Sequence, residues 1–157
     1  MTASSRDWVW VFGDIAGLRW VLDRSTMAFP DSAAPRLRAM SAGDRAVLYV
    51  TRGAFHNPSR DVARLAGLVT VAGTPTRRRS VTSAGREFIW QAPITVEVAL
   101  PERVGPPVHP LVDRLSFVHN RSAWGQYFRK SPKLLTTRDF AVLAGAVRAF
   151  ARELSST

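Results

Sequence analysis

The chain opens with an alternation that serves two faces. In Trp8-Val9-Trp10-Val11-Phe12, residues 8, 10 and 12 share one side of a strand and Val9 and Val11 the other. Both sides are apolar, which predicts a strand covered on both faces and ending at Gly13. Asp14 is placed to cap a helix, and Ile15, Leu18, Val21 and Leu22 recur at helical spacing over about 15–23. Met27-Ala-Phe-Pro30 breaks the rhythm and reads as an irregular loop with apolar groups. Ala34 to Met40 fits a short helix, Ala42-Gly-Asp44 a turn, and Arg45 to Thr51 a second strand. Arg52 to Ser59 is a loop, and a long strand follows from about Ala63 to Ala72.

The second half is less regular. Thr76-Arg-Arg-Arg-Ser80 is polar and reads as exposed. Glu87 to Gln91 and Ile94 to Ala99 form two strands, or one strand interrupted at Pro93. Pro101 to Pro107 is a connector, and Pro110 to Leu115 and Ser122 to Phe128 are short helical turns. Thr137 caps a last helix over about 138–153, where Phe140, Leu143, Val147 and Phe150 repeat at three- and four-residue steps. No repeat, low-complexity tract or boundary divides the chain, so residues 1–157 read as one domain with a core over about 8–153. The whole predicts an α+β fold: a small curved β-barrel of about five or six mostly antiparallel strands flanked by helices.

Composition narrows the chemistry. With 157 residues, 46% of them hydrophobic, the chain can bury a core unaided. The absence of cysteine excludes disulfides, zinc-thiolate sites and Cys nucleophiles, and fits a cytoplasmic location. No apolar run approaches the roughly 20 residues of a membrane span. The N-terminus lacks the charged-then-apolar pattern of a signal peptide. A net charge of +10 points to a phosphate-bearing partner. Nearly every cation is Arg, however, and a GC-rich genome yields that composition with no selection for binding.

Catalytic motifs are lacking. His56, His109 and His119 are not at metal-ligand spacing, and there is no Gly-x-Ser-x-Gly elbow or phosphate loop. No cofactor is expected. The informative stretch is instead Leu115 to Arg129, which places Asn120, Trp124 and Gly125 between apolar segments. Trp124 offers a flat stacking surface. Asn120 either reads the edge of a planar heterocycle or caps the turn near Ser122. Trp8, Trp10, Phe12, Phe29, Tyr49, Phe88 and Trp90 are each core or pocket residues. Thr51, two residues after Tyr49, shares its face. Arg52, Arg121, Arg129 and Lys130 flank these positions in the chain, and Arg77-Arg78-Arg79 is a separate run; either group suits phosphates.

These pieces, taken in order, resemble an EVE domain of the PUA-like superfamily, which also holds the YTH readers of methylated adenine. The resemblance rests on Trp8-Val-Trp-Val, Leu37 to Tyr49 with its Gly43-Asp44 turn, Leu65 to Val71, His109 to Phe117, Asn120, Trp124-Gly125 and Thr137 to Phe140. It spans about residues 8 to 150. It implies a closed barrel with a pocket on one side, a pocket linked in the family to modified bases, especially 5-modified cytosines in DNA and more loosely RNA. The expected function is therefore a non-catalytic module that binds a modified base in DNA or RNA. Its ligand-binding residues would be Trp10, Phe12, Phe29, Tyr49, Thr51, Asn120 and Trp124, with Arg52, Arg121, Arg129 and Lys130 on phosphates. One alternative is a sensor of a nucleotide metabolite or small anionic ligand. Another is a nucleic-acid hydrolase using His56 or His119 as base.

Overall fold

The computed structural model describes residues 5–83 and 85–156. In chain order these form β1 (Asp7–Phe12), α1 (Ile15–Arg24), β2 (Thr26–Phe29), α2 (Ala34–Leu37), β3 (Arg45–Val50), β4 (Arg64–Val71), β5 (Thr76–Ser83), β6 (Arg86–Ala99), β7 (Lys133–Leu135) and α3 (Thr137–Ser155). Three 3₁₀ segments, Asp31–Ala33, His109–Arg114 and Arg121–Phe128, complete the set. The strands follow the order β2-β6-β4-β3-β1-β7, with β5 paired to β6 off this path. Among the described residues no pairing joins β7 back to β2. The α+β fold is thus a curled half-barrel, where the resemblance implied a closed one.

Alternation along the central strands divides the interior into two cores. Trp8, Trp10 and Phe12 pack with Leu48, Val50, Val69 and Val71 against α1 and β2. Val9, Val47, Tyr49, Leu65 and Leu68 pack on the other face against α3, which buries Phe140, Leu143, Ala144 and Val147. The two-faced reading of the first strand holds for this reason: each side has its own helix. α1 starts as expected, with Asp14 accepting a hydrogen bond from Ala16 N at 2.8 Å. α3 starts one residue early, because Thr136 and not Thr137 is the cap; its hydroxyl accepts from Asp139 N at 3.1 Å.

Three strands were not legible in the sequence. Met27-Ala-Phe29, expected as loop, is β2, whose ladder partner is the distant β6. Thr76 to Ser80, expected as an exposed polar run, is exposed but belongs to β5. An edge strand wetted on both faces has no apolar alternation to betray it. β7 has three residues, too few for any period. The two candidate strands after residue 86 are one continuous β6. Pro93 falls where β6 passes from β2 to β4, so its missing N–H interrupts no long ladder, and its carbonyl accepts from Ala72 N at 2.8 Å. Among the described residues the sheet has six strands along its path and β5 beside it.

β1 and β3 are the only parallel neighbours among the described strands, with Asp7 opposite Arg45 and Phe12 opposite Val50. Asp44 fixes where this pair begins. Its carboxylate is fully buried and accepts from Arg6 N (2.9 Å), Trp8 Nε1 (3.0 Å) and Ser41 N (3.1 Å). Asp7 then pairs with Arg45 at 2.9 Å, and the Arg45 guanidinium lies over the Phe140 ring of α3. Replacing Asp44 with Ala would strand three donors in a dry site. The expected loss is about 3–5 kcal/mol of folding stability, read by urea unfolding. A loss below about 1 kcal/mol would mean that water reaches these donors and that the carboxylate is not the anchor.

Candidate functional site

The parallel pair ends as it begins, in step. Past Phe12 and Val50 the chain leaves both strands at the same end, and the two exits are stitched together: Thr51 N donates to the Phe12 carbonyl (3.1 Å) and Ile15 N to that of Ala54 (3.1 Å). A cleft of about 1470 Å³ opens there. Residues 27–30, from β2 onward, line one side, and Val11, Phe12, Lys130 and Ser131, next to β7, line the other. The cleft therefore occupies the gap where the half-barrel fails to close.

Its floor and one wall are aromatic. Phe12, Phe29, Trp20, Tyr49, Phe88, Trp124 and Phe128 all line it. Trp124 is half-buried. It stacks against His109 with centroids 5.8 Å apart and meets Phe128 edge-on at 6.2 Å. Phe128 in turn stacks on Tyr49 at 4.5 Å and touches Phe117 edge-on at 5.4 Å. Burial pushes the Tyr49 phenol well above its usual pKa, so it stays neutral at physiological pH.

The rim is cationic. Arg36, Arg52, Arg64, Arg86, Arg129 and Lys130 line the cleft, against one carboxylate, Asp14. Among the described residues none of these six cations forms an ion pair with a carboxylate. Arg36 donates from Nη2 to the Ser131 carbonyl at 2.9 Å, while its Nε is buried without a partner among those residues. Arg64 donates to the Gly105 carbonyl at 2.7 Å. Asp14 is committed on both oxygens, one to the α1 cap and the other to His56 Nε2 at 3.1 Å.

Of the residues expected at the site, the structure gathers Phe12, Phe29, Tyr49, Thr51, Arg52, Trp124, Arg129 and Lys130 around one cleft. Three do not line it. Trp10 is 0% exposed and packs edge-on against Phe29 at 5.5 Å, behind the floor. Its position on the same strand face as Phe12 does not bring it to the surface, because only Phe12 stands at the strand's open end. Asn120 is the cap of the Arg121–Phe128 turn: its Oδ1 accepts from Ser122 N (3.1 Å) and Ser122 Oγ (2.7 Å). Arg121 points to Asp113, 3.1 Å away, and so balances a charge outside the rim. His56 meets Asp14 beside the cleft and His119 packs on Tyr127; neither lines it.

Sequence reasoning missed Phe128, His109, Arg36 and Arg64. Phe128 carried a signal, since it stands four residues after Trp124 in a stretch the sequence predicts as a helical turn. Arg36 and Arg64 carried none, being ordinary polar positions until the fold brought α2 and β4 to the same opening.

No family model matches this chain, and no curated protein matches it in sequence. Its fold, however, recurs in solved structures. The YTH domain-containing protein Mmi1, solved as an RNA complex, aligns with a TM-score of 0.65 at 9% identity, covering 96% of this chain and 87% of that one. The Pho92 YTH domain in complex with m6A aligns at 0.59 and 8% identity, over 96% and 85%. Rpa0253 from Rhodopseudomonas palustris, solved by NMR, aligns at 0.59 and 16% identity, over 92% and 94%. The described residues have a YTH-like fold.

If Phe128 holds the wall and Trp124 only leans on it, their removal has unequal cost. Phe128→Ala is expected to lose about 3–5 kcal/mol of stability, and Trp124→Ala about 1–2 kcal/mol, since part of its surface is already wet. Urea unfolding of the two variants decides; equal losses would make Trp124 a core residue and not a ligand surface.

Proposed function

We propose that this chain is a non-catalytic reader that holds a modified nucleobase of a single-stranded nucleic acid in the aromatic cleft. The observation that carries the reading is the pairing of aromatic walls with six cations that, among the described residues, no carboxylate pairs with. A planar ring with an attached phosphate satisfies both at once. Base-on-aromatic stacking contributes about 1–3 kcal/mol, and the rim side chains anchor phosphates without reading sequence. The N–H groups at the start of α1 are already used within the fold, so the anions must be met by side chains.

Three further points support the reading. The cleft exceeds the roughly 300–1,000 Å³ typical of small-molecule pockets, leaving room for the sugar and phosphates beside the base. Asp14, the carboxylate at the cleft, is already hydrogen-bonded on both oxygens, one to the α1 cap and the other to His56. The fold is shared with domains solved with RNA and with m6A. Within that fold, the ordered motifs from Trp8 to Phe140 favour an EVE-like member. RNA is then the first polymer to test. N6-methyladenine and 5-modified cytosine are the two modifications that the neighbours and the motifs respectively bring forward.

The test is a titration with short single strands that carry N6-methyladenine, 5-methylcytosine or the plain base. One modified strand is expected to bind more tightly than its plain counterpart by about 1–3 kcal/mol, the worth of filling a small apolar subpocket. Trp124→Ala should cost about 1–3 kcal/mol and erase that difference. Asn120→Ala, which removes only a cap, should preserve the difference while lowering stability by about 0.5–2 kcal/mol. Arg52→Ala and Arg129→Ala should weaken modified and plain strands alike, each flattening the salt dependence by about 0.7 for a single strand. Affinities insensitive to salt, and equal for a free nucleotide and a strand, would replace the reader with a small-ligand sensor.

A further inference from the structure

β5 and β6 form a hairpin that projects from the strand path, turning at Gly85 with φ +75°. Arg77 stands opposite Trp90, and Val81 opposite Phe88. Residues directly opposite share a face, as do residues two apart on one strand. Arg77, Trp90, Val81, Phe88 and Arg86 therefore lie on one face of the ribbon. The Arg77 guanidinium sits 5.7 Å from the Trp90 ring centre and that of Arg86 5.9 Å from Phe88. Val81, Arg86 and Phe88 also line the cleft, so this face continues the cleft wall.

Between the two registered pairs, Arg78, Arg79 and Ser80 stand against Ile89 alone, a bulge that throws two more exposed cations outward. Glu87, across from Thr82, belongs to the opposite face. Asp31 meets this face, and it is occupied as the acceptor of Trp90 Nε1 at 3.0 Å, which orients the indole. Among the described residues no carboxylate forms an ion pair with Arg77, Arg78, Arg79 or Arg86.

We propose that this hairpin is a second nucleic-acid contact, which holds the nucleotides flanking the base in the cleft and makes the ligand a single strand of several nucleotides. The proposal rests on the cleft reading above for where the strand enters. Alternating cations and rings along one ribbon suit a single strand: unpaired bases stack on aromatic or guanidinium planes while the Arg side chains follow the phosphates. A duplex hides its base faces and would leave the Phe88 ring without a base to stack on. The bulged Arg78 and Arg79 extend the positive track past the cleft edge.

The experiment varies length and modification separately. RNA strands of three and nine nucleotides, each with a central adenosine or N6-methyladenosine, are titrated by fluorescence anisotropy. The nonamers are expected to bind at least about 10-fold more tightly than the trimers, since flanking phosphates add contacts. In the combined variant Arg77→Ala, Arg78→Ala, Arg79→Ala, all exposed and outside the cleft, that advantage should fall to within about threefold. The nonamer salt slope should also flatten by about 0.7 for each phosphate contact removed. Phe88→Ala should weaken nonamer binding about fivefold or more through lost stacking. The proposal is overturned if the parent binds both lengths within twofold, if the triple variant keeps its length advantage, or if duplex RNA of nine pairs competes as well as the single strand. Modification and length report separately. A lost length advantage in the variant, with no preference for N6-methyladenosine in the parent, would uphold the hairpin and sink that modified-base assignment; the reverse would sink the hairpin alone.

Discussion

The buried carboxylate of Asp44 is the constraint on which the rest depends. A charge with no exposed surface is costly unless donors surround it, and here three N–H groups do, from Arg6, Trp8 and Ser41. Those donors come from the approach to β1, from β1 itself and from the turn before β3. Satisfying the one carboxylate therefore sets two strands side by side, in parallel and in register. Parallel neighbours in register also stop together, so the far end of the pair is a place where two chains depart at once. The cleft lies at that far end, and it owes its location to a hydrogen-bond centre at the opposite one.

Charge is sorted by the same fold. Several carboxylates are taken up by structure: Asp7 by Arg45, Asp44 by backbone and indole donors, Asp139 by Ser116, Asp31 by Trp90, Asp14 by a helix cap and His56. Arg19 and Glu102 neutralise one another through two short hydrogen bonds, and the guanidinium holds the carboxyl below its usual range. The cations around the cleft and on the β5–β6 hairpin have no such counter-charge among the described residues. Six cations against one carboxylate line the aromatic opening, so positive charge gathers there.

Much of this was readable beforehand where the signal is local. β1, α1, β3, β4 and α3 follow from periodicity and caps, since each buries a face against a continuous core. Trp124 stood out by lying in a polar linker. The elements that escaped are those whose reason lies elsewhere in the chain. β2 exists because β6 offers it a ladder, β5 is an edge with no buried face of its own, and Pro93 is tolerated within β6 because the strand changes partners there. Asn120 and Arg121 misled for a related reason. Their types suit a ligand, but Ser122 and Asp113 reach them first.

By itself the sequence determined which side chains are apolar on which face, where helices start, and that an excess of cations and rings would need a home. Periodicity encodes these because the geometry of one strand or helix converts residue spacing into direction. The tertiary structure alone decided that the half-barrel stays open between β2 and β7, that Phe12 reaches the cleft while Trp10 is sealed behind it, and that Arg36, Arg64 and Phe128 join the same opening. Those outcomes depend on contacts between segments far apart in the chain, and the spacing of residues along one segment carries no record of what will pack against it.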